Sequence, residues 1–203
     1  MKKEHAGLSA LALASLILSG CTTGNLKTLD ATSSNEGIAV ARIHCTYDGK
    51  DATKGCNIVF DPLPFFGVPK YQYVPDANGY VFAKLPLGVN SIRAIVVSSG
   101  LAKHDFDSGE LTCHIKGGGV INYLGEIYID WQKVSVSTSS TVETIGFSAR
   151  NTFTVVSFNW TEGGGKIGVW VDSNESAAKD AFQVRFNEQR QLTPSLLVAR
   201  SQK

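Results

Sequence analysis

The sequence predicts a mainly β fold, a β-sandwich followed by one C-terminal helix, and three observations support this prediction. Short segments rich in Val, Ile, Phe and Thr recur along the chain, with glycine-rich turns between them. A tight turn is indicated near the centre, where Asn78 and Gly79 supply the positive φ that primed hairpin turns require. Alanine and phenylalanine recur at helical spacing near residues 174–189. We therefore expect a single domain over residues 37–203.

The N-terminal residues have the organisation of a bacterial export signal. Lys2 and Lys3 give a positive start, and residues 8–18 form an apolar stretch too short to span a bilayer. The following Leu-Ser-Gly-Cys at residues 18–21 resembles the lipobox of bacterial lipoproteins, in which the cysteine thiol is acylated. The sequence thus predicts a signal peptide over residues 1–20 and a lipid on Cys21. An ordinary secretory signal with a chance cysteine is the alternative.

The lipobox resemblance also implies a location. Thr22 occupies the position where aspartate would act as an inner-membrane retention signal, so the resemblance implies a lipid-anchored protein of the cell envelope, sorted to the outer membrane. Two or three acyl chains would anchor the protein firmly in the membrane, since each buried CH₂ contributes roughly 0.8 kcal/mol to the free energy of membrane binding. Residues 21–36 are polar and lack apolar periodicity, which predicts a flexible tether between the lipid and the domain.

The charge balance argues against two classes of partner. Without residues 1–20 the chain carries 17 basic and 17 acidic side chains, which argues against nucleic acid and against broad electrostatic adhesion to anionic lipid.

Motifs for cofactors and catalysis are incomplete. The glycines at 163–165 lack the remainder of a P-loop, and the S-x-x-K at 176–179 lacks the accompanying motifs of penicillin-recognising enzymes. We therefore predict no cofactor, no catalytic residue and no enzymatic activity.

The strands are predicted from alternation and from β-branched or aromatic content. A turn that begins at Asp76 leads into the central strand, and Pro86 with Gly88 breaks that strand before the next one. For the helix, the side chain of Asn174 or Ser173 can cap the first turn. The negative charge of Glu175 interacts favourably with the positive N-terminal end of the helix dipole. The predicted strands are residues 38–45, 56–60, 80–85, 92–97, 117–131, 133–138, 152–160 and 166–171.

The central stretch carries a further resemblance. Its D-x-x-G at 76–79, L-P-x-G at 85–88 and I-x-A at 92–94 resemble the carboxypeptidase-regulatory or transthyretin-like (prealbumin-like) β-sandwich family. The glycine-turned stretch at 117–131 is similar to the strand that closes the sandwich in such lipoproteins. The resemblance covers residues 37 to about 190 and implies an Ig-like or transthyretin-like sandwich. It does not identify a ligand.

The remaining cysteines suggest a disulfide. With Cys21 committed to lipid, Cys45, Cys56 and Cys113 lie in an oxidising compartment. A Cys45–Cys56 bridge would close the first hairpin and contribute roughly 3 kcal/mol. A bridge from Cys113 to either of the other two stays open at this point, because connectivity does not follow from sequence.

A metal site is not predicted. His44 precedes Cys45 and His114 follows Cys113, but adjacent residues of a strand point to opposite faces and cannot bind one ion together. The alternative function is a periplasmic or surface enzyme, or a metal-binding protein, that uses His104, His114 and the nearby acidic residues. These acidic residues are Asp105, Asp107 and Glu110, which a solvated loop also explains.

An aromatic, proline-rich stretch at 61–75 offers a candidate partner surface. Phe65, Phe66, Tyr71 and Tyr73 are too apolar for an ordinary exposed loop, and aromatic side chains are enriched at binding hot spots. The competing interpretation is that the rings cap the end of the sandwich. The function predicted from sequence is a non-enzymatic, membrane-anchored envelope lipoprotein. Its sandwich binds a protein or glycan partner or takes part in envelope assembly.

Overall fold

A computed structural model describes residues 22–23, 25–29, 35–61, 71–97, 102–133, 155–160 and 165–199. The predicted signal peptide, the lipidation site Cys21, and Phe65 and Phe66 lie outside the described residues. So does the strand predicted at 133–138, apart from its first residue. Among the described residues, no helix combines the length and the apolar character needed to cross a membrane.

In the described part of the chain, two seven-stranded sheets form the sandwich, and one helix accompanies them. The first sheet contains β1 (Thr22–Thr23), β4 (Cys56–Phe60), β5 (Tyr71–Tyr73), β7 (Gly88–Val97), β8 (Ala102–Asp105), β9 (Leu111–Ile115) and β14 (Val198–Ala199). The second contains β2 (Glu36–Tyr47), β3 (Lys50–Asp51), β6 (Tyr80–Pro86), β10 (Ile121–Gln132), β11 (Val155–Trp160), β12 (Gly165–Asp172) and β13 (Leu192–Pro194). The helix α1 spans Glu175–Phe186. The predicted fold class, a mainly β sandwich with one helix, is confirmed.

The order of the strands places β4, β7 and β9 at the centre of the first sheet and β10 and β2 at the centre of the second. The core lies between the sheets and follows the period of two that strands impose. In β2, for example, Ala39, Ala41, Ile43 and Cys45 are buried against the first sheet. Trp131, at the far end of β10, is fully buried in the same core.

The helix begins and ends where capping chemistry predicts. The Asn174 side chain accepts a hydrogen bond from the Ala177 amide, and Asn187 ends the helix in the left-handed conformation with a φ of 53°. Ala178 and Phe182 are buried against the outer face of the second sheet. The helix predicted near 174–189 is therefore confirmed, with Glu175–Phe186 as its helical residues.

The central turn is confirmed, but it joins the two sheets instead of closing a hairpin within one. Of the two residues predicted to have a positive φ, Gly79 has one and Asn78 does not. The Asp76 carboxylate accepts hydrogen bonds of 2.9 Å from the amides of Asn78 and Tyr80. Gly79 has a φ of 84°, and a Cβ there would lie 2.7 Å from the Ile43 carbonyl oxygen. Only glycine fits this position, because both the φ and the close approach exclude a side chain. The next break, around Leu87, returns the chain to the first sheet.

The two central strands of the second sheet, β2 and β10, run parallel. Their register shifts between Tyr123 and Gly125, where Leu124 is the extra residue of a bulge. Gly125 has a φ of 104°, and a Cβ there would lie 2.4 Å from Val171 Cγ1. The bulge therefore depends on this glycine.

Residues 22–23 and 25–29, predicted to be part of a flexible tether, lie against the domain. The Asn25 side chain accepts a hydrogen bond from the Phe82 amide and donates to the carbonyl oxygens of Val74 and Tyr80. The Leu26 amide donates to the Phe82 carbonyl oxygen. Asn25 thus satisfies backbone groups of β6 and of the turn before it, a role that polar composition alone does not reveal.

Tyr71 and Tyr73, predicted to be part of a partner surface, are buried in the core on β5, so that prediction is wrong for these two residues. The Tyr73 hydroxyl donates to the Lys84 carbonyl oxygen, and the Tyr71 hydroxyl donates to Glu36. The prolines of the preceding stretch suggested a loop throughout. The alternating Tyr-Gln-Tyr pattern of β5 instead places both rings on the inner face of the first sheet.

Candidate functional site

The outer face of the second sheet is divided between two environments. The helix α1 packs over one half, where Ile38, Val40, Phe82 and Tyr123 are buried beneath it. The other half, which we call the bare face, carries side chains from three neighbouring strands. Its residues are Arg42, His44 and Thr46 of β2, Glu126, Tyr128 and Asp130 of β10, and Lys166, Gly168 and Trp170 of β12. All are half-exposed except Glu126, which is buried.

Glu126 is the buried anionic centre of the bare face. Its Oε1 accepts hydrogen bonds of 3.3 Å from Arg42 Nη1 and from Asn174 Nδ2. Its Oε2 accepts a hydrogen bond of 2.9 Å from the Tyr128 hydroxyl. A buried carboxylate requires such partners, because desolvation without them is costly. Glu126 therefore ties β2, β10 and the residue that caps α1 into one rigid unit.

His44 completes the cluster around this carboxylate. Its Nε2 lies 3.7 Å from Glu126 Oε2 and, among the described residues, is buried without a hydrogen-bond partner. Burial lowers the pKa of His44, and the neighbouring Arg42 guanidinium lowers it further, against the opposing effect of Glu126. The lowered pKa favours the neutral form of His44, and its Nε2 is enclosed by the cluster around Glu126.

Three aromatic rings stack across the bare face. The His44 and Tyr128 ring centroids are 4.5 Å apart with an interplanar angle of 9°, and the Tyr128 and Trp170 centroids are 5.4 Å apart at 4°. The strand register explains the stack, because Tyr128 lies directly opposite both His44 and Trp170. Burial and the hydrogen bond to Glu126 raise the pKa of Tyr128 to about 12, so its hydroxyl remains a donor. We call these three residues the aromatic stack.

A notch lies next to the aromatic stack at Gly168. Gly168 is opposite Asp130 in the register, and a Cβ placed there would meet only the Asp130 carbonyl oxygen and the Trp170 ring, both at 3.9 Å. Asp130 itself accepts hydrogen bonds from Thr46 Oγ1 at 2.6 Å and from Gln132 Nε2 at 2.8 Å. The bare face is thus a rigid surface with a recess, in which the polar groups are already oriented.

The chemistry of the bare face fits recognition better than acid–base catalysis. Glu126 already accepts three hydrogen bonds, which leaves its carboxylate poorly placed to move a proton. The groups that face solvent are the half-exposed rings of the aromatic stack and the Arg42 guanidinium. Aromatic residues and arginine are the types enriched in protein interfaces.

The two histidines of the alternative function are not brought together. His104 is buried on β8 opposite Ile95, and its ring contacts Phe106 with centroids 4.5 Å apart. Burial lowers the pKa of His104 to about 4. His114 is exposed on β9 opposite Val89, six residues from Ile95 along β7 and therefore about 20 Å away along that strand. The pair does not form a common site.

The acidic residues near His104 form a turn. Glu110 accepts a hydrogen bond of 2.8 Å from the Asp107 amide, and its own amide donates to the Asp107 carbonyl oxygen. Asp105 pairs with Lys103 at 2.8 Å on the exposed side of β8. Within the described part of the chain, no group of three or more His, Cys, Asp and Glu side chains could hold a metal ion.

The structure places the cysteines as follows. Cys45 lies on β2 and Cys56 on β4, so the pair connects the two sheets and does not close a hairpin within one. Both are free thiols here, and their mutual hydrogen bond, together with burial, raises the pKa of Cys56. Cys113 is opposite Asn90, whereas Cys56 is opposite Val97, about 23 Å further along β7. Cys113 therefore cannot bridge to Cys56, while a Cys45–Cys56 bridge remains a prediction.

Comparison with other proteins adds no family assignment. Searches against known protein families, curated proteins and solved structures found no match. The transthyretin-like resemblance therefore remains an expectation about the central stretch, and the function rests on the bare face and on the N-terminal sequence.

Sequence reasoning did not identify the bare face. The alternation of Arg42, His44 and Thr46 along β2 indicates a polar outer face, and Tyr128 and Trp170 alternate in the same way on their own strands. What brings them together is the parallel pairing of β2 with β10, shifted by one residue at Gly125. Long-range register of this kind cannot be read from the separate segments.

Proposed function

We propose that this chain is a lipid-anchored protein of the bacterial cell envelope that uses its bare face to bind a protein partner. The aromatic stack, supported from beneath by the buried Glu126, is the observation that carries the binding role. The N-terminal Leu-Ser-Gly-Cys box supports the anchor and the location. A surface whose side chains are fixed before binding loses little conformational entropy when a partner arrives.

The orientation of the rings favours a protein over a glycan. Both faces of the Tyr128 ring are covered, one by His44 and the other by Trp170. The edges of Tyr128 and the Arg42 guanidinium remain accessible, and Gly168 leaves a recess beside them. Edge contacts, bidentate arginine hydrogen bonds and a side-chain-sized recess suit a protein surface.

The test is capture of the partner by variants of the bare face. Gly168→Leu fills the recess at a position where a Cβ meets only ordinary contacts, so the domain should remain folded. Val184→Leu is the matched control, since Val184 is strongly exposed on α1, away from the bare face. Crosslinking and pull-down of the lipidated protein from its own envelope should recover one specific protein with the wild type and with Val184→Leu.

The expected result for Gly168→Leu is loss of that protein with an unchanged melting temperature. Equal recovery by Gly168→Leu and the wild type would show that the partner binds elsewhere. Recovery of glycan instead of protein would contradict the choice of partner.

A further inference from the structure

The first described residues lie at one end of the sandwich. β1 runs parallel to β5 with Thr22 opposite Tyr71, so Thr22, the residue after Cys21 in the sequence, lies at the end where β5 begins. β4 runs antiparallel to β5 and to β7, which places the beginning of β7, at Gly88 and Val89, at the same end. We call this end the anchor pole.

The chain is fixed to the domain only a few residues after Cys21. Asn25 makes three hydrogen bonds to the domain, and Arg185 Nη2 of α1 donates to the Leu26 carbonyl oxygen at 2.9 Å. Leu26 and Leu29 pack against the cluster beneath α1. Only four residue steps separate Cys21 from Asn25, a distance of at most about 14 Å in a fully extended chain. A lipid on Cys21 would therefore hold the domain directly against the bilayer.

The anchor pole also exposes apolar side chains. Leu87 is 41% exposed and Val89 is 72% exposed, and both lie at the crossing from β6 to β7. The Leu87 amide donates to the Asn35 carbonyl oxygen, so this crossing is fixed to the beginning of β2. These two side chains lie at the same pole as Thr22, so a lipid on Cys21 would bring them to the bilayer surface.

Cationic side chains accompany the apolar ones. A cleft of about 160 Å³ beside Leu87 is lined by Lys116, Arg190 and the glycines at 117–119, with Glu36 also on its wall. Arg190 is paired with Glu188 at 2.7 Å and donates to the Gly119 carbonyl oxygen. Because Glu36 and Glu188 offset the charges of Lys116 and Arg190, the anchor pole would meet the bilayer through its aliphatic side chains and not through net positive charge.

We infer that the anchor pole rests on the lipid bilayer, with Leu87 and Val89 inserted at the headgroup boundary beside the acylated Cys21. This orientation rests on the proposed lipid anchor and extends it from a point of attachment to a contact surface. The bare face then stands away from the membrane, since His44 is eight residues along β2 from Glu36, a distance of about 25 Å. A partner protein can reach it without displacing the domain from the bilayer.

The test uses single exposed cysteines as depth probes. The native Cys45, Cys56 and Cys113 are buried, and acylation blocks Cys21, so a nitroxide reagent should label only an introduced exposed cysteine. The probe positions are Val89→Cys at the anchor pole and, as the distal control, Lys50→Cys at the exposed β2–β3 turn. Leu87→Cys is a second anchor-pole variant in case Val89→Cys does not fold. The lipidated proteins are reconstituted in phosphatidylcholine–phosphatidylglycerol vesicles.

The measurement is collision of the nitroxide with oxygen, which concentrates in lipid, and with a water-soluble nickel complex. We expect collision with nickel to fall severalfold at position 89 relative to position 50, while collision with oxygen rises. An acylated protein whose position-89 label is as accessible to nickel as the position-50 label would overturn the orientation alone. Mass spectrometry that finds Cys21 unmodified would overturn the anchor, and with it the orientation.

Discussion

The Tyr128 hydroxyl donates a 2.9 Å hydrogen bond to the Glu126 carboxylate, two residues earlier on the same face of β10. The two side chains can meet because alternate residues of a strand project to one side of the sheet. Arg42 and Asn174 bind the other carboxylate oxygen, so one buried acid connects the sheet with the start of α1. The rigidity of the bare face depends on this acid.

Removing the acid should therefore loosen both the sheet face and the helix. Glu126→Ala leaves the donors of Arg42, Tyr128 and Asn174 without their acceptor, and we expect the free energy of unfolding to fall by about 1–3 kcal/mol. Glu126→Gln should cost less, because the amide oxygen still accepts. Urea unfolding followed by circular dichroism measures both. If Glu126→Ala matched the wild type, the carboxylate would not be a structural centre.

Stability should decrease in mildly acidic solution because of His104. Burial lowers the pKa of His104 to about 4 from its ordinary value of 6.5, so between these values the unfolded chain binds more protons than the folded one. The stabilisation is complete above about pH 6.5, is lost as the pH falls towards 4, and amounts to at most about 3 kcal/mol.

The variant His104→Leu should remove this part of the pH dependence. Urea unfolding at pH 7 and pH 4 should show a smaller loss for His104→Leu than for the wild type. His114→Gln, at an exposed position, is the matched control and should behave as the wild type does. An identical loss in the wild type and in His104→Leu would contradict the buried neutral state of this histidine.

The sequence was sufficient for those features that depend on local chemistry. Asp76 and Gly79 define a turn through side-chain acceptance and positive φ, and Asn174 defines the start of α1 as its cap. Cys45 and His44 were expected on opposite faces of one strand, and the structure buries the cysteine and leaves the histidine half-exposed. Each of these features follows from local chemistry: from a side-chain hydrogen bond to the backbone, from the φ of one residue or from the two-residue period of a strand.

Features that depend on pairing between distant segments could not be predicted from the sequence. β5 is three residues long and follows three prolines, so only its antiparallel pairing with β4 explains the burial of Tyr71 and Tyr73. The attachment of Asn25 depends on backbone groups of β6, more than fifty residues later in the chain. The bare face depends on the parallel register of β2 and β10.

The disulfide prediction can be examined by peptide mapping without reduction. We expect the peptides of Cys45 and Cys56 to be joined, since both thiols lie together in the core between the sheets. Cys113 is buried and burial raises its pKa to about 12, so it should become alkylated only after denaturation. Its appearance in a crosslinked peptide would contradict the separation along β7.

The aromatic stretch before β5 gives a prediction about stability. We expect Phe65→Ala combined with Phe66→Ala to lower the melting temperature by more than about ten degrees, because a buried Phe→Ala change costs about 3–5 kcal/mol. Tyr73→Phe is a mild comparison, since it removes only the hydrogen bond to Lys84 and should cost about 1 kcal/mol. An unchanged melting temperature for the double variant would mean that the two rings serve a partner surface and do not cap the core.

The most direct test of the proposed lipid-anchored protein is metabolic labelling with a fatty acid in cells that express the wild type or Cys21→Ser. We expect label on the wild type, with cleavage before Cys21, and an unlabelled, uncleaved precursor for Cys21→Ser. Equal label on the two proteins, or an unlabelled wild type, would contradict it.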